Sequence, residues 1–285
     1  MNRRLDLRGR GLTELAYSAA ELADVDSLEL RGNPLGAVPE VVRSLPNLTD
    51  LSLSQTVLTE VPDWLWSLTN LEQLNLSENR LTRIPDAIGN LRRLRMLDLG
   101  HNQLSDLPKG LGELVGITDF LYLSHNELSH IPAFFGRFVA LRYLNVTDNQ
   151  LKELPDAIGE MAALRELRLY SNQLRHLPES IGRLANLREL HLSNNQLETL
   201  PETIGDLANL RILDLRNNHL AGVPDTVGNL KKLGYLDLRA NRFVQLPDSL
   251  AGLPRLEKLD LRWNAFEVAP PWLDYLELNG CAVLR

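Results

Sequence analysis

The sequence predicts an α/β solenoid, a curved horseshoe with a parallel β-sheet on its concave face and short helical, 3₁₀ or extended segments on its convex face. Three observations predict it. Leucine supplies 64 of the 285 residues, although the hydrophobic fraction is an ordinary 44%. Leucine has therefore displaced other apolar side chains, as expected when one packing environment is used many times. The pattern Leu-x-x-Leu-x-Leu-x-x-Asn-x-Leu recurs with a period of 23 residues. Asparagine, proline and glycine stand in fixed columns of that period.

Repeats start at residues 2, 25, 48, 71, 94, 117, 141, 164, 187, 210, 233 and 256, with a truncated thirteenth at 273. The repeat at 117 has 24 residues and the one at 256 has 17. This spacing predicts a single domain over 1–285. Its parts are a degenerate N-terminal repeat (1–24), ten regular repeats (25–255, with one extra residue in 117–140) and an irregular C-terminal cap (256–285). Each unit buries little alone, so neighbours must stack.

Within a repeat, Leu-x-Leu places two inward residues at period two, which is a short strand with one buried face. Asn33, Asn79, Asn102, Asn126, Asn149, Asn172, Asn195, Asn218, Asn241 and Asn264 follow the strands. Their amides are expected to form a buried ladder that bonds the turning backbone. Arg10 and Thr56 break the column, and Cys281 is expected to take the same slot in the last unit. Eleven of the 15 prolines, from Pro39 to Pro270, should start the return segment. The Asp or Glu that usually follows suits the first turn of a short helix. Gly89, Gly112, Gly136, Gly159, Gly182, Gly205 and Gly228 mark close-approach or φ-permissive positions. Trp66 stands in that glycine column, with Trp64 beside it, and Phe134 and Phe135 crowd the equivalent place; local packing is their expected role, with a second, convex contact site as the alternative. At the ends, 17–24 has the composition of an amphipathic helix. Trp263, Phe266, Trp272 and Tyr275 are expected to cover the last leucines.

The run Leu71-x-x-Leu74-x-Leu76-x-x-Asn79-x-Leu81-x-x-Ile84-Pro85-x-x-Ile88-Gly89-x-Leu91 resembles the leucine-rich repeat. The 23-residue form with Ile-Pro and Ile-Gly-x-Leu is similar to plant intracellular Ras-group proteins, animal Ras-pathway scaffolds and many bacterial proteins. The resemblance covers nearly the whole chain. It implies a horseshoe solenoid and a binding style, not a particular partner.

Twelve strands at about 4.8 Å give an arc of roughly 55–60 Å, long enough for a standard protein interface. On the concave positions, Met96, Phe120, Tyr122, Tyr143 and Tyr170 fall in consecutive repeats, with His101, His125 and His191 beside or near them. Tyrosine and its aromatic relatives are enriched at binding hot spots. In the 24-residue repeat either Phe120 or Leu121 could face inward, and the spacing to Leu123 and Asn126 favours Leu121. Asp214-Leu-Arg216, Asp237-Leu-Arg239 and Asp260-Leu-Arg262 set an Asp column beside an Arg column; Asp6-Leu-Arg8 and Glu29-Leu-Arg31 repeat it near the N-terminus. The expectation is a charge-balanced, solvated ladder. Its functional alternative is recognition of a charged partner, with Tyr235 and Trp263 as anchors.

The remaining composition narrows the function. A net charge of −7 and one cysteine argue against a nucleic-acid partner and a multi-cysteine metal site. No apolar run reaches the length of a membrane span. The N-terminus lacks the apolar core of a signal peptide, which points to a cytoplasmic protein or one delivered to a host cytoplasm. No Walker loop, Gly-x-Ser-x-Gly or His-Glu-x-x-His motif is present, so no catalytic residue and no cofactor is expected. His101, His125 and Tyr143 form a grouping whose alternative role is a small-ligand or metal site. The sequence therefore points to a monomeric, non-catalytic protein-binding module, a scaffold, adaptor or inhibitor in signalling or an effector-like role. The alternative is the recognition part of a larger ubiquitin ligase or kinase.

Overall fold

A computed structural model describes residues 3–266 and 268–285. Asn2, the expected start of the first repeat, lies outside them. The chain divides into two compact units, one ending at Leu128 and the other spanning Ser129–Arg285.

The first unit carries six parallel strands in sequence order. They are β1 (Arg3–Asp6), β2 (Val25–Glu29), β3 (Asp50–Ser52), β4 (Gln73–Asn75), β5 (Met96–Asp98) and β6 (Phe120–Tyr122). The second carries seven: β7 (Tyr143–Asn145), β8 (Glu166–Arg168), β9 (Glu189–His191), β10 (Ile212–Asp214), β11 (Tyr235–Asp237), β12 (Lys258–Asp260) and β13 (Ala282–Leu284). The repeat period sets this register. Leu74, for example, pairs with Leu51 on one side and Leu97 on the other, and all three are buried. Inward leucines at the same place in every repeat thus stack into one apolar layer per unit.

The asparagine ladder forms as the sequence requires. Asn172 Nδ2 donates to the Val146 and Leu169 carbonyls at 2.9 and 3.0 Å, and its Oδ1 accepts the Leu151 N–H at 3.0 Å. One amide therefore satisfies backbone groups of two successive repeats that no strand pairing reaches. Thr56, the interruption, gives its hydroxyl to the Leu53 carbonyl at 2.6 Å and stays fully buried.

Each return segment is a five-residue 3₁₀ turn, and each of these ten turns among the described residues follows an extended proline. Proline presets φ and surrenders an N–H that has no partner there. The glycine column is explained by close approach rather than by φ. A Cβ on Gly159, Gly182 or Gly205 would lie 2.3, 2.4 or 2.3 Å from a carbonyl oxygen of the next 3₁₀ turn. Trp66, in that column, is buried. Phe135 and Phe138 are also buried and pack edge-to-face, with Phe134 stacked on Phe135.

The ends depart from the sequence expectation. Residues 19–24 form turns, not an amphipathic helix. Only Leu22 is buried there besides the strand residue Val25, so a helix would have no second apolar row to bury. At the other end, residue 273 does not open another repeat, because Trp272–Leu278 is an α-helix, α1. The last strand is β13, in which Val283 pairs with Leu259. That register puts Cys281 two residues ahead of Val283, so it does not occupy the asparagine slot. It is nonetheless buried, and burial pushes its thiol pKa up. The cap is made by Leu273 and Leu276 of α1; Trp263 and Tyr275 are exposed, so those two aromatics do not cover the last leucines.

Candidate binding surface

An inward leucine at the centre of each strand forces its two neighbours onto the opposite face. The expected site residues on the strands occupy those outward positions, and they fall in two groups, one in each unit.

In the first unit Met96 pairs with Phe120 across β5 and β6, and Asp98 pairs with Tyr122. Leu121 is the inward residue and Phe120 stands 42% exposed, which settles the open register. The extra residue is absorbed just before β6, where Thr118 and Asp119 both donate their N–H to the Arg95 carbonyl at 3.2 and 3.1 Å. The Phe120 and Tyr122 rings lie 5.8 Å apart, nearly parallel. His101 and His125 stack with centroids 3.9 Å apart. Both sit in left-handed backbone, φ 54° and 53°, one residue before the ladder asparagines. Stacked imidazoles aim their in-plane nitrogens side by side, so the pair offers a flat platform and not convergent metal ligands. Burial raises the Asp98 carboxyl above its ordinary value, against the pull of the Gly100 N–H, the Ser77 hydroxyl and nearby His101.

In the second unit Tyr143 pairs with Glu166 across β7 and β8. The Arg168 guanidinium lies 5.6 Å from the centre of the Tyr143 ring, bonds Glu166, and interacts electrostatically with Tyr170. Arg168 thus links Tyr143 to Tyr170, both half-buried. His191 Nε2 lies 3.2 Å from Glu189 Oε2. Among the described residues, Glu166, Glu189 and His191 bring three possible metal-ligand atoms within 4.8 Å of one another. Arg168 already supplies a cation to that cluster.

Toward the C-terminus the charged ladder is not solvated. Asp237 and Asp260 are 1% and 0% exposed. Arg239 forks onto Asp237 at 2.9 and 2.6 Å and reaches Asp260 at 3.2 Å, while Arg262 forks onto Asp260 at 2.9 and 2.7 Å. The Tyr235 hydroxyl donates to Asp237 at 3.1 Å, and Lys258 stands 5.1 Å from the Tyr235 ring centre. Burial would raise the Asp260 carboxyl, but the Arg262 hydrogen bonds and the charges of Arg239 and Arg262 outweigh it and hold the pKa below the usual range. Burial, with the charge and hydrogen bond of Asp237, pushes the Tyr235 phenol up to about 12. The guanidiniums and Tyr235 close over the carboxylates, which is why the expectation of exposed pairs fails. It holds at the other end, where Arg8 and Asp6 pair at 2.7 Å with both side chains well exposed. Arg31 turns instead to Glu78, at 3.1 Å.

Trp263 is 71% exposed and sits at φ 60°, with the Arg262 guanidinium 5.5 Å from its ring centre. The sequence pattern names Tyr235 and Trp263 as anchors and sets Asp237, Arg239, Asp260 and Arg262 in adjacent columns, but it does not show that the carboxylates are buried.

A leucine-rich-repeat model matches residues 23–81, 46–104, 120–174 and 141–197, and a leucine-rich-repeat region matches 179–268. The chain belongs to the leucine-rich-repeat family. No curated protein matches this leucine-rich-repeat chain. Among solved structures it is similar to a leucine-rich-repeat protein of Leptospira interrogans, at 28% identity and TM-score 0.55, covering 99% of this chain and 95% of that one. It is similar to a TDR receptor at 29% identity and TM-score 0.76, over 92% of this chain and 51% of the receptor chain. It also resembles the plant peptide hormone receptor RGFR1, solved in complex with RGF2, at 25% identity and TM-score 0.70, over 93% of this chain and 51% of that one. The chain therefore spans about half the length of those two receptor chains. The leucine-rich-repeat fold is that of a protein-interaction module, and proteins of this family are generally non-catalytic.

Proposed function

We propose that this leucine-rich-repeat chain is a non-catalytic module that holds a protein partner on the outward face of its strands, as a scaffold, adaptor or inhibitor. The observation that carries the reading is the set of large side chains that the fold leaves outside. Phe120 and Trp263 are 42% and 71% exposed, and neither contributes to an apolar layer. Exposed aromatics beside arginine are the composition of binding hot spots. A reducing compartment, the cytoplasm of its own cell or of a host, fits the single free thiol of Cys281.

The test is affinity capture from native lysate with three baits. These are the parent chain, Tyr143→Ala with Tyr170→Ala, and Trp263→Gly. The parent is expected to retain a discrete partner, and at least one of the two variants to lose it while melting as the parent does. Equal retention by all three would remove these side chains from the site.

A further inference from the structure

One charged feature of the second unit has no counterpart within it. Arg142, Arg165, Arg188 and Arg211 each stand immediately before a strand, and all four are exposed. They are direct cross-strand neighbours: the Arg165 N–H donates to the Arg142 carbonyl at 2.8 Å, Arg188 to Arg165 at 2.8 Å, and Arg211 to Arg188 at 2.7 Å. Among the described residues, none of the four side chains makes an ion pair or a hydrogen bond. The nearest carboxylates are already engaged. Glu166 bonds Arg168, Glu189 bonds His191, and Asp214 accepts the Arg216 N–H.

Strands lie about 4.8 Å apart, so each arginine has its neighbours well inside the screening length of about 8 Å at physiological salt. Four like charges in register repel one another, and folding gains nothing from keeping them unpaired. The chain as a whole is acidic, at −7, so the column is a local reversal of sign. A ligand with a matching line of negative charge would relieve that repulsion.

We propose that the Arg142–Arg165–Arg188–Arg211 column docks an acidic segment of a protein partner, a run of Asp and Glu side chains laid across β7 to β10. Guanidinium forks grip carboxylates in bidentate fashion. The next row, one residue into each strand, contains Tyr143, Ile212 and, on β11, Tyr235, all half-buried, which give the apolar side of such a segment a surface to rest on. Glu166 and Glu189 share that row, bonded to Arg168 and His191. Nucleic-acid binding calls for a broad basic footprint, which a net charge of −7 does not provide. The inference rests on the protein-binding reading above and names the chemistry of the partner.

The probe is a fluorescein-labelled decaglutamate peptide titrated with the full chain by anisotropy. Two quadruple variants carry the same net charge. One replaces Arg142, Arg165, Arg188 and Arg211 with Gln; the other replaces the exposed Arg80, Arg83, Arg175 and Arg183 with Gln. The parent is expected to bind decaglutamate saturably, more weakly as salt rises. The column variant should bind at least about tenfold more weakly, and the control variant should stay within about twofold of the parent. Absence of saturable binding by the parent, or equal loss in both variants, would overturn the proposal. Tighter binding of a ten-nucleotide single-stranded DNA than of decaglutamate would do the same. Should the column variant melt lower, the doubles Arg142→Gln/Arg165→Gln and Arg188→Gln/Arg211→Gln carry the comparison, each expected to lose part of the affinity. The lysate capture separates the two readings. A column variant that still captures the parent's partner ends the acidic-segment proposal and leaves protein binding standing, whereas a parent that captures nothing ends the broader reading.

Discussion

Asp98 on β5 and Asp260 on β12 occupy the same slot of the repeat, the outward position between two inward leucines, and their carboxyls titrate in opposite directions. Burial raises Asp98; Asp260 ends below the usual carboxylate range although burial acts on it too. The difference lies two residues on. Asp98 is followed by Gly100, which offers only a backbone N–H, at 2.9 Å. Asp260 is followed by Arg262, and Arg239 of the neighbouring repeat reaches it as well. A repeat scaffold fixes where a charge stands but not what that charge costs. The cost is set by the residues that the adjacent strands bring to its side. Asp6 is a third case: it has the same Asp-Leu-Arg tripeptide as Asp260, yet its side chain stays 39% exposed, with Arg8 at 2.7 Å and Arg4 no nearer than 3.9 Å.

The largest expected effect comes from Arg239→Leu. It strands Asp237, buried, and takes one of two cations from Asp260. Removing one partner of a buried pair costs about 3–5 kcal/mol, against nothing measurable for an exposed one. Urea unfolding should show the loss for Arg239→Leu and an unmoved midpoint for Arg8→Leu. Equal midpoints in the two variants would mean that the C-terminal network is no more than a surface ladder.

Asp260→Asn and Asp98→Asn should then differ in sign at neutral pH. Asp260→Asn weakens charge-assisted hydrogen bonds worth about 1.5–3 kcal/mol and lowers stability. Asp98→Asn removes a charge that burial penalises while keeping an oxygen for the Gly100 N–H, so its melting temperature should rise, by less than Asp260→Asn lowers it. The acid limb of the stability profile sharpens the same point. The folded pKa of Asp260 is depressed, so its contribution is complete above the unfolded value of about 3.9 and is lost as pH falls through the folded one. The folded pKa of Asp98 is raised, so its contribution runs the other way: present at low pH and lost as pH rises through the folded value. The Asp98→Asn gain should therefore vanish in acid. A gain that persists unchanged below pH 3 would tell against burial as the cause.

These contrasts also mark how far the sequence could be read. The strands, the asparagine ladder and the proline-led turns follow from periodicity, because each depends on one residue type returning at a fixed interval. Leu121, not Phe120, could be placed inward from its spacing to Leu123 and Asn126. What periodicity could not supply is the reach of long side chains between repeats. Arg239 closing on Asp260 and Arg31 turning to Glu78 are choices among neighbours that the spacing makes equally available. The C-terminal end differs from the sequence expectation: residues 272–278 keep leucines at a spacing that suits a strand repeat, yet they form α1, and β13 after them takes the place beside β12. The arginine column before β7 to β10 was visible in the sequence as Leu-Arg at each repeat start. What sets it apart from ordinary solvated charge is that the neighbouring carboxylates are bonded elsewhere.

The smallest expected effect is at Tyr235, and it is the one that isolates the network from the rest of the sheet. Tyr235→Phe keeps the ring under Lys258 and removes only the hydrogen bond to Asp237, so at neutral pH it should cost about 0.5–1.5 kcal/mol. At alkaline pH the two proteins should converge. The phenol ionises at about 10 when unfolded and at about 12 in place, where burial and the Asp237 carboxylate disfavour a second negative charge. A raised folded pKa contributes stability that is complete below the unfolded value and is lost as pH rises through the folded one. Melting temperatures of the parent should therefore fall more steeply between pH 10 and 12 than those of Tyr235→Phe. Parallel curves over that window would mean that the phenol is not held against Asp237 in solution, and with it would go the argument that Tyr235 helps to close the C-terminal carboxylates from water.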